Sequence, residues 1–297
     1  MIKFGFVSIV GRPNVGKSTL LNQILKTKLA ITSNVSGTTR NVIQGIYNDN
    51  ESQIVFVDTP GIHKPNHKLG TLMNKKAYHN TDSVDVILFV IDINKGFGKG
   101  DMFILNKIKE ANLPIFLLLN KIDQIKDKTV LLERIKELNE LHDFDEIIPI
   151  SAMKNDNINN LITAVKSRLE ETEQVYSLEE LTNVSTKFIV GEFVREKLLE
   201  LTKEEIPHAI SCYVESFIEE EDIVRIQVLI VVDRDNIKKI VIGKRGSMLK
   251  EVGSRARHDI EKFLGKKVFL ETYVKTLKNW RDEERYFEEL GLKDIEY

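Results

Sequence analysis

The stretch Gly11-Arg12-Pro13-Asn14-Val15-Gly16-Lys17-Ser18 most narrows what this chain can fold into. It satisfies G-x-x-x-x-G-K-[ST], a pattern that works only as a tight loop between a strand and a helix. Both flanks are present. Phe4-Gly5-Phe6-Val7-Ser8-Ile9-Val10 reads as a short apolar strand, and Thr19-Leu20-Leu21-Asn22-Gln23-Ile24-Leu25 is apolar at helical spacing. Gly11 and Gly16 let the backbone turn so that successive N–H groups converge on phosphate oxygens. The helix start adds positive potential at the same place. Lys17 is placed to reach β- and γ-phosphates, and Ser18 to offer its hydroxyl to a magnesium ion.

Strand and helix signals alternate from residue 3 to about residue 170. Strands are predicted at 3–10, 43–48, 52–58, 85–92, 115–120 and 146–150, and helices near 69–80, 101–111, 128–141 and 157–170. Asn48-Asp49-Asn50-Glu51 joins the second and third strands as a hairpin. The pattern predicts an α/β sheet, mostly parallel with one antiparallel edge, whose ligands bind at the carboxyl ends of the strands.

The other chemical motifs fall at those ends. Asp58-Thr59-Pro60-Gly61 closes the third strand; Asp58 is placed to hold magnesium through water, and Gly61 to free a backbone N–H for the γ-phosphate. Turn residues alone would give the same string, but its distance from the phosphate loop favours the metal role. Thr38-Thr39-Arg40 lies in a long polar segment, where a threonine could complete a magnesium shell or simply be a solvated loop residue. Asn120-Lys121-Ile122-Asp123 selects the base, because a carboxylate at Asp123 accepts two hydrogen bonds from guanine and none from adenine. Sites of that kind reject analogues by roughly 10⁴-fold or more. Asn120 and Lys121 would buttress the loops, and a backbone N–H at Ser151-Ala152 could bond the guanine carbonyl.

Five motifs in this order resemble the GTPase family of P-loop proteins. The resemblance makes Gly11 to Ser18, Asp58 to Ile62, Asn120, Lys121, Asp123, Ser151 and Ala152 the GTP-binding set, and Ser18, Thr39 and Asp58 the magnesium ligands. Thr39 rather than Thr38 rests on alignment with that family. No residue is assigned as catalytic with certainty; Asn14 and Thr39 are the candidates. Ile62 stands where many signalling GTPases carry a glutamine that orients the attacking water, and isoleucine cannot do so. In the branch this sequence resembles, an asparagine at the position of Asn14 can help hold a potassium ion; the alternative is a residue that tolerates the turn. His63 and His67 read as solvated, since no carboxylate or cysteine stands at ligand spacing.

At 297 residues the chain has room for two domains, here read as 1–170 and 186–297 joined by a linker at 171–185 that is expected to be packed in part. The second half predicts a helix at 186–203, strands at 210–218 and 223–232, helices at 235–241 and 247–264, a strand at 267–275 and a terminal helix at 280–290. The two adjacent helices are joined by Gly243-Lys244-Arg245-Gly246. This α+β order resembles a KH domain of the second topological type, in which such a loop clamps the backbone of about four single-stranded nucleotides. The residues implied are Ile242, Gly243, Lys244, Arg245, Gly246, Lys250, Arg255 and Arg257. Charge agrees: Arg234 to Lys267 holds 11 basic against 4 acidic residues, and Glu192 to Asp222 holds 10 acidic against 3 basic. A solvated helix face is the plainer alternative.

The two modules in series resemble the bacterial Era family of ribosome-assembly GTPases. So do Gly61-Ile62-His63-Lys64-Pro65, Glu205-Ile206-Pro207-His208 and Asn279-Trp280-Arg281-Asp282-Glu283-Glu284-Arg285. The resemblance implies slow GTP hydrolysis with Mg²⁺, binding of the 3′ region of 16S ribosomal RNA, help in 30S subunit maturation and a monomeric state. It also implies a cytoplasmic protein with peripheral inner-membrane association, for which the residues supply no physical argument. The single cysteine, Cys212, lies in a strand-like run and suits a packed thiol in a reducing compartment. The first strand begins almost at Met1, so no signal peptide is expected, and no apolar run is long enough to span a bilayer. A switch whose second half binds protein or membrane, and an ATP-using P-loop enzyme, are the alternatives; Asp123 argues against the latter.

Overall fold

The computed structural model describes residues 1–32, 38, 40–59, 67–69, 71–73, 84–202 and 206–290. Its residues cluster into two compact units. One comprises Met1–Ala30, Ser36–Lys64 and Leu72–Asn183; the other comprises Val184–Tyr297 together with Ile31–Val35 and Pro65–Thr71.

In the first unit the elements run β1 (Ile2–Val10), α1 (Lys17–Leu25), β2 (Ile43–Asn48), β3 (Ser52–Asp58) and β4 (Val86–Asp92). They continue with α2 (Lys99–Ile108), β5 (Ile115–Asn120), α3 (Lys128–Asn139), β6 (Glu146–Ile150), α4 (Ile158–Lys166) and β7 (Glu170–Thr172). The sheet order is β2-β3-β1-β4-β5-β6, with β7 also pairing with β1. Pairings along β3-β1-β4-β5-β6 are parallel, and β2 and β7 run antiparallel to their neighbours. Every residue of β3, β4 and β5 is buried, as expected of strands covered on both faces. The chain passes from β1 to β3 on one side and then to β4 on the other. The carboxyl end of β1, where the phosphate loop begins, is therefore the switch point of the sheet.

In this unit one helix ends earlier than expected and one strand was not expected. The helix expected at 157–170 ends at Lys166, and Glu170–Thr172 forms β7 against the start of β1. Glu-Glu-Thr carries no strand alternation; only main-chain pairing defines it. The expected linker is therefore largely structured. The Gln53 side chain, fully buried, donates to Tyr176 O (3.0 Å) and accepts from Val175 N and Tyr176 N. Ile46 N donates to Leu181 O at 2.9 Å, and Thr182 Oγ1 to Gln44 O at 2.6 Å. The linker thus covers the exposed edge of β2, satisfying donors that would otherwise invite strand pairing.

The second unit is α5 (Thr186–Leu201), β8 (Ile210–Glu219), β9 (Ile223–Val232), α6 (Asp235–Ile242), α7 (Ser247–Leu264), β10 (Lys267–Thr276) and α8 (Glu284–Glu289). Its three-stranded sheet has the order β10-β9-β8, with β9–β10 parallel and β8–β9 antiparallel. Ser185 caps α5 by accepting from Phe188 N. The terminal helix expected at 280–290 is instead a single 3₁₀ turn, Trp280–Asp282, followed by α8, because Asn279 takes a left-handed conformation and Glu283 an extended one. Trp280 is fully buried, its Nε1 donating to Ala209 O at 3.1 Å. Cys212 is buried, as expected. Within the acidic stretch, Glu192 pairs with Arg195 (2.6 Å) and Glu196 with Lys197 (3.0 Å), so part of that charge is neutralised inside the unit.

The hairpin between β2 and β3 is closed by Asp49. Its Oδ1 accepts from Glu51 N, Ser52 N and Ser52 Oγ, while Oδ2 meets Tyr47 Oη (2.9 Å) and the Lys166 ammonium (2.6 Å). Partial burial pushes the carboxyl up, but the bonds from Lys166, Glu51 N, Tyr47 and Ser52 outweigh it and bring its pKa down to about 2. A depressed carboxylate stabilises above the unfolded value and loses that contribution as pH falls through the folded one. Asp49→Asn should therefore lower the melting temperature at pH 7. It should also flatten the loss of stability of the parent between about pH 4 and pH 2, read by circular dichroism.

Candidate nucleotide and nucleic-acid sites

Lys17 opens α1 and is buried. Its Nζ donates to Gly11 O (3.1 Å) and Arg12 O (3.0 Å), so the loop wraps around the ammonium. Burial lowers its pKa to about 8 against the attraction of Asp58. Gly11 and Gly16 have φ of 154° and 105°, and Asn14 is left-handed at 66°. A Cβ at Gly11 would strike Val90 O, and one at Gly16 would strike the Asn120 amide nitrogen, so both glycines also serve close approach. Ser18 Oγ donates to Asp58 Oδ2 at 2.8 Å. This pair is the oxygen-only donor set that suits magnesium, with phosphate oxygens and water supplying the remaining ligands. Among the described residues no group of three or more His, Cys, Asp or Glu could hold a metal ion.

The Asn120–Asp123 segment follows β5 and reaches back to the loop before α1. Asn120 Nδ2 donates to Val15 O (2.7 Å), and Ala152 N donates to Asn120 Oδ1 (3.0 Å). Lys121, left-handed at φ 70°, donates to Asn14 O and Asp92 Oδ2, both at 2.8 Å. Ser151 Oγ donates to Asp123 Oδ1 at 2.6 Å. The carboxyl ends of β1, β3, β5 and β6 thus bring Lys17, Ser18, Asp58 and Asp123 into one site.

In the second unit, Gly243 (φ 74°), Arg245 (φ 53°) and Gly246 (φ 78°) all have positive φ, making the turn between α6 and α7 very tight. A Cβ at Gly243 would lie 2.7 Å from Met248, whereas one at Gly246 meets nothing within 4 Å. Gly243 therefore serves the fold, and Gly246 keeps an open face. Lys244, Arg245 and Lys250 are exposed. Lys250 and Arg257, seven residues apart, fall on one flank of the buried stripe Val252–Ala256–Ile260. Arg255 falls on the other flank and pairs with Glu251 at 2.7 Å.

The profile of the 50S ribosome-binding GTPase family matches residues 6–121, and that of the KH domain matches residues 205–281. The chain is 47% identical over 290 residues to the GTPase Era of Staphylococcus haemolyticus, spanning 97% of each. The chain belongs to the Era GTPase family. Two crystal structures of Era superpose with TM-scores of 0.95 at 40% identity over 98% of this chain and 99% of theirs. One is a complex with MgGDPNP and nucleotides 1506–1542 of 16S ribosomal RNA; the other is a single-substitution variant of Aquifex aeolicus Era bound to GDP and AlF₄⁻.

Within this Era-family chain, Thr39, Pro60, Gly61, Ile62 and His63 lie outside the described residues, as do residues 74–80 of the helix expected at 69–80. Thr38, Arg40 and Asn41 are themselves buried and not solvated. The backbone N–H groups of Ser151 and Ala152 donate to Asp156 O and Asn120 Oδ1. His67 corrects the spacing argument: its Nδ1 lies 3.1 Å from Asp282 Oδ2, a carboxylate 215 residues away in sequence. Sequence reasoning also missed Asp92 and Asp101. A single aspartate at a strand end and one in a helix's first turn carry no motif.

Phosphate anions beside Lys17 would raise its pKa again from about 8. Binding of GDP at pH 8 should therefore take up a fraction of a proton, and affinity should weaken as pH rises past 8. Calorimetry in two buffers of different ionisation enthalpy reads this directly; equal heats would contradict it.

Proposed function

We propose that this protein binds GTP and GDP with Mg²⁺, hydrolyses GTP slowly, binds the 3′ region of 16S ribosomal RNA through residues 242–257 and assists maturation of the 30S subunit. The observation that carries the reading is Asp123, held by Ser151 at the end of a loop whose two preceding residues grip the phosphate loop. Guanine selection and phosphate binding are thereby parts of one framework. Two Era relatives of known structure hold MgGDPNP with 16S RNA and GDP with AlF₄⁻.

The chemistry follows from the donors. Lys17 and the loop N–H groups hold the phosphates, and Ser18 and Asp58 hold the ion, directly or through water. When bound, Mg²⁺ would neutralise charge on the phosphate oxygens. Isoleucine at position 62 leaves the attacking water without a side-chain partner there, which supports slow hydrolysis. Asn14, left-handed and anchored through its carbonyl, is the residue that would approach a potassium ion. Ribosomal RNA as partner supports a cytoplasmic location. Inner-membrane association rests on the resemblance alone, and no described helix is long and apolar enough to cross a membrane.

Nucleotide and RNA binding would be coupled through two segments, residues 31–42 and 60–70. In support, parts of both segments, residues 31–35 and 65–70, belong to the second unit, where Thr32 N donates to Glu196 Oε1 (2.9 Å) and Lys68 N to Asp282 Oδ1 (3.1 Å).

Asp123→Asn should weaken GTP binding by at least about 100-fold and favour xanthosine triphosphate, since the amide donates where the carboxylate accepted. Gly246→Asp, which places a charge on an open surface, should weaken binding of the 3′ 16S segment at least about tenfold while leaving GDP binding intact. Equal RNA affinity with GDP and with a non-hydrolysable GTP analogue would remove the coupling and leave both binding functions standing.

A further inference from the structure

We infer that two aspartates outside every nucleotide motif, Asp92 and Asp101, are positioning residues that hold the phosphate loop at two points, Asn14 and Arg12, and set how long it retains nucleotide. This rests on the nucleotide reading above.

Each aspartate acts through a cation that touches the loop. Asp92 ends β4 and is largely buried. Its Oδ2 binds the Lys121 ammonium at 2.8 Å, and that ammonium also donates to Asn14 O at 2.8 Å. Its Oδ1 accepts from Asn94 N (3.1 Å) and Asn94 Nδ2 (3.3 Å), and the same Nδ2 reaches Lys121 O (3.3 Å). Burial raises the Asp92 carboxyl, but the Lys121 and Asn94 bonds outweigh it and keep it charged. Lys121 therefore cannot swing away from Asn14 without leaving a buried charge unpaired, an arrangement that is costly to break.

Asp101 stands in the first turn of α2, with its side chain only 2% exposed. Its Oδ2 accepts from Arg12 Nη1 (2.8 Å) and from Gly98 N (2.9 Å). The Arg12 side chain runs across Gly100, where a Cβ would lie 3.1 Å from Arg12 Cδ. Arg12 thus spends its guanidinium on α2, while its carbonyl accepts from Lys17. The loop contains left-handed Asn14 and the wide turns at Gly11 and Gly16, conformations that local preference does not enforce. Charge-assisted bonds at residues 12 and 14 hold it in shape before any phosphate arrives, and preorganisation of this kind appears chiefly in the off-rate.

The test is release of a fluorescent GDP analogue from the full chain with Mg²⁺. Asp92→Asn and Asp101→Asn should each speed release about tenfold, with association rates within about twofold, measured below the apo melting transition of each variant. Asp92→Asn should add little to Lys121→Gln, and Asp101→Asn little to Arg12→Met, because each pair shares one bond. The two aspartate variants together should release faster than either alone, since each acts through its own cation, Lys121 or Arg12. Asp49→Asn, in the same unit but remote from the loop, should leave release unaltered. Release from both aspartate variants within twofold of the parent, or equal faster release from Asp49→Asn, overturns the inference. If Asp101→Asn does not fold, Arg12→Met carries that arm alone. A parent chain that binds no GDP would instead refute the nucleotide reading, and with it this one.

Discussion

The first unit is organised around a buried ammonium. Lys17 lies inside its own loop, donating to the carbonyls of residues 11 and 12, where water cannot solvate it. A cation in such a place demands rigid acceptors, and backbone carbonyls are rigid only if the backbone is. The loop reaches that state through left-handed and glycine conformations that no single local preference would select. Side chains from elsewhere supply the constraint: Asn120 at residue 15, Lys121 at residue 14, and Asp101 through Arg12. The parallel sheet makes this possible, since it delivers the ends of β1, β3, β4, β5 and β6 to one edge.

The second unit solves a different problem with related means. Its loop must present backbone and positive charge to a polyanion without a deep pocket. Three positive-φ residues within four fold it tightly, and the neighbouring helix is held by an apolar stripe. Charge is separated by structure as well as by sequence. The acidic stretch at 192–222 satisfies part of its charge internally, with Glu192 on Arg195 and Glu196 on Lys197, whose ammonium also meets Asp259 of α7. Lys244, Arg245, Lys250 and Arg257 remain turned to solvent.

Much of this was legible in the residues. Strand and helix positions followed from period and punctuation, and the antiparallel edge from the 48–51 turn. The nucleotide motifs were recognisable because their chemistry requires fixed residue types at fixed spacing. Strand β7 was not legible, because Glu-Glu-Thr is defined by what it pairs with. The same holds for the segment at 181–183 along β2, whose polar residues look like a linker until their partners are known. His67 has no carboxylate at ligand spacing along the chain, because Asp282 is close only in space.

By itself, the sequence determined which anion is held, which base is selected and that a second module with a basic glycine loop follows. Those properties depend on residue types and short spacings, which local chemistry encodes. Tertiary structure decided what holds these motifs in place. Asp92, Asp101 and the occupied N–H groups of residues 151 and 152 act through partners some 30 to 90 positions away or through main-chain atoms common to every residue. Such contacts carry no sequence pattern, because what defines them is the approach of strand ends that only the folded sheet brings together.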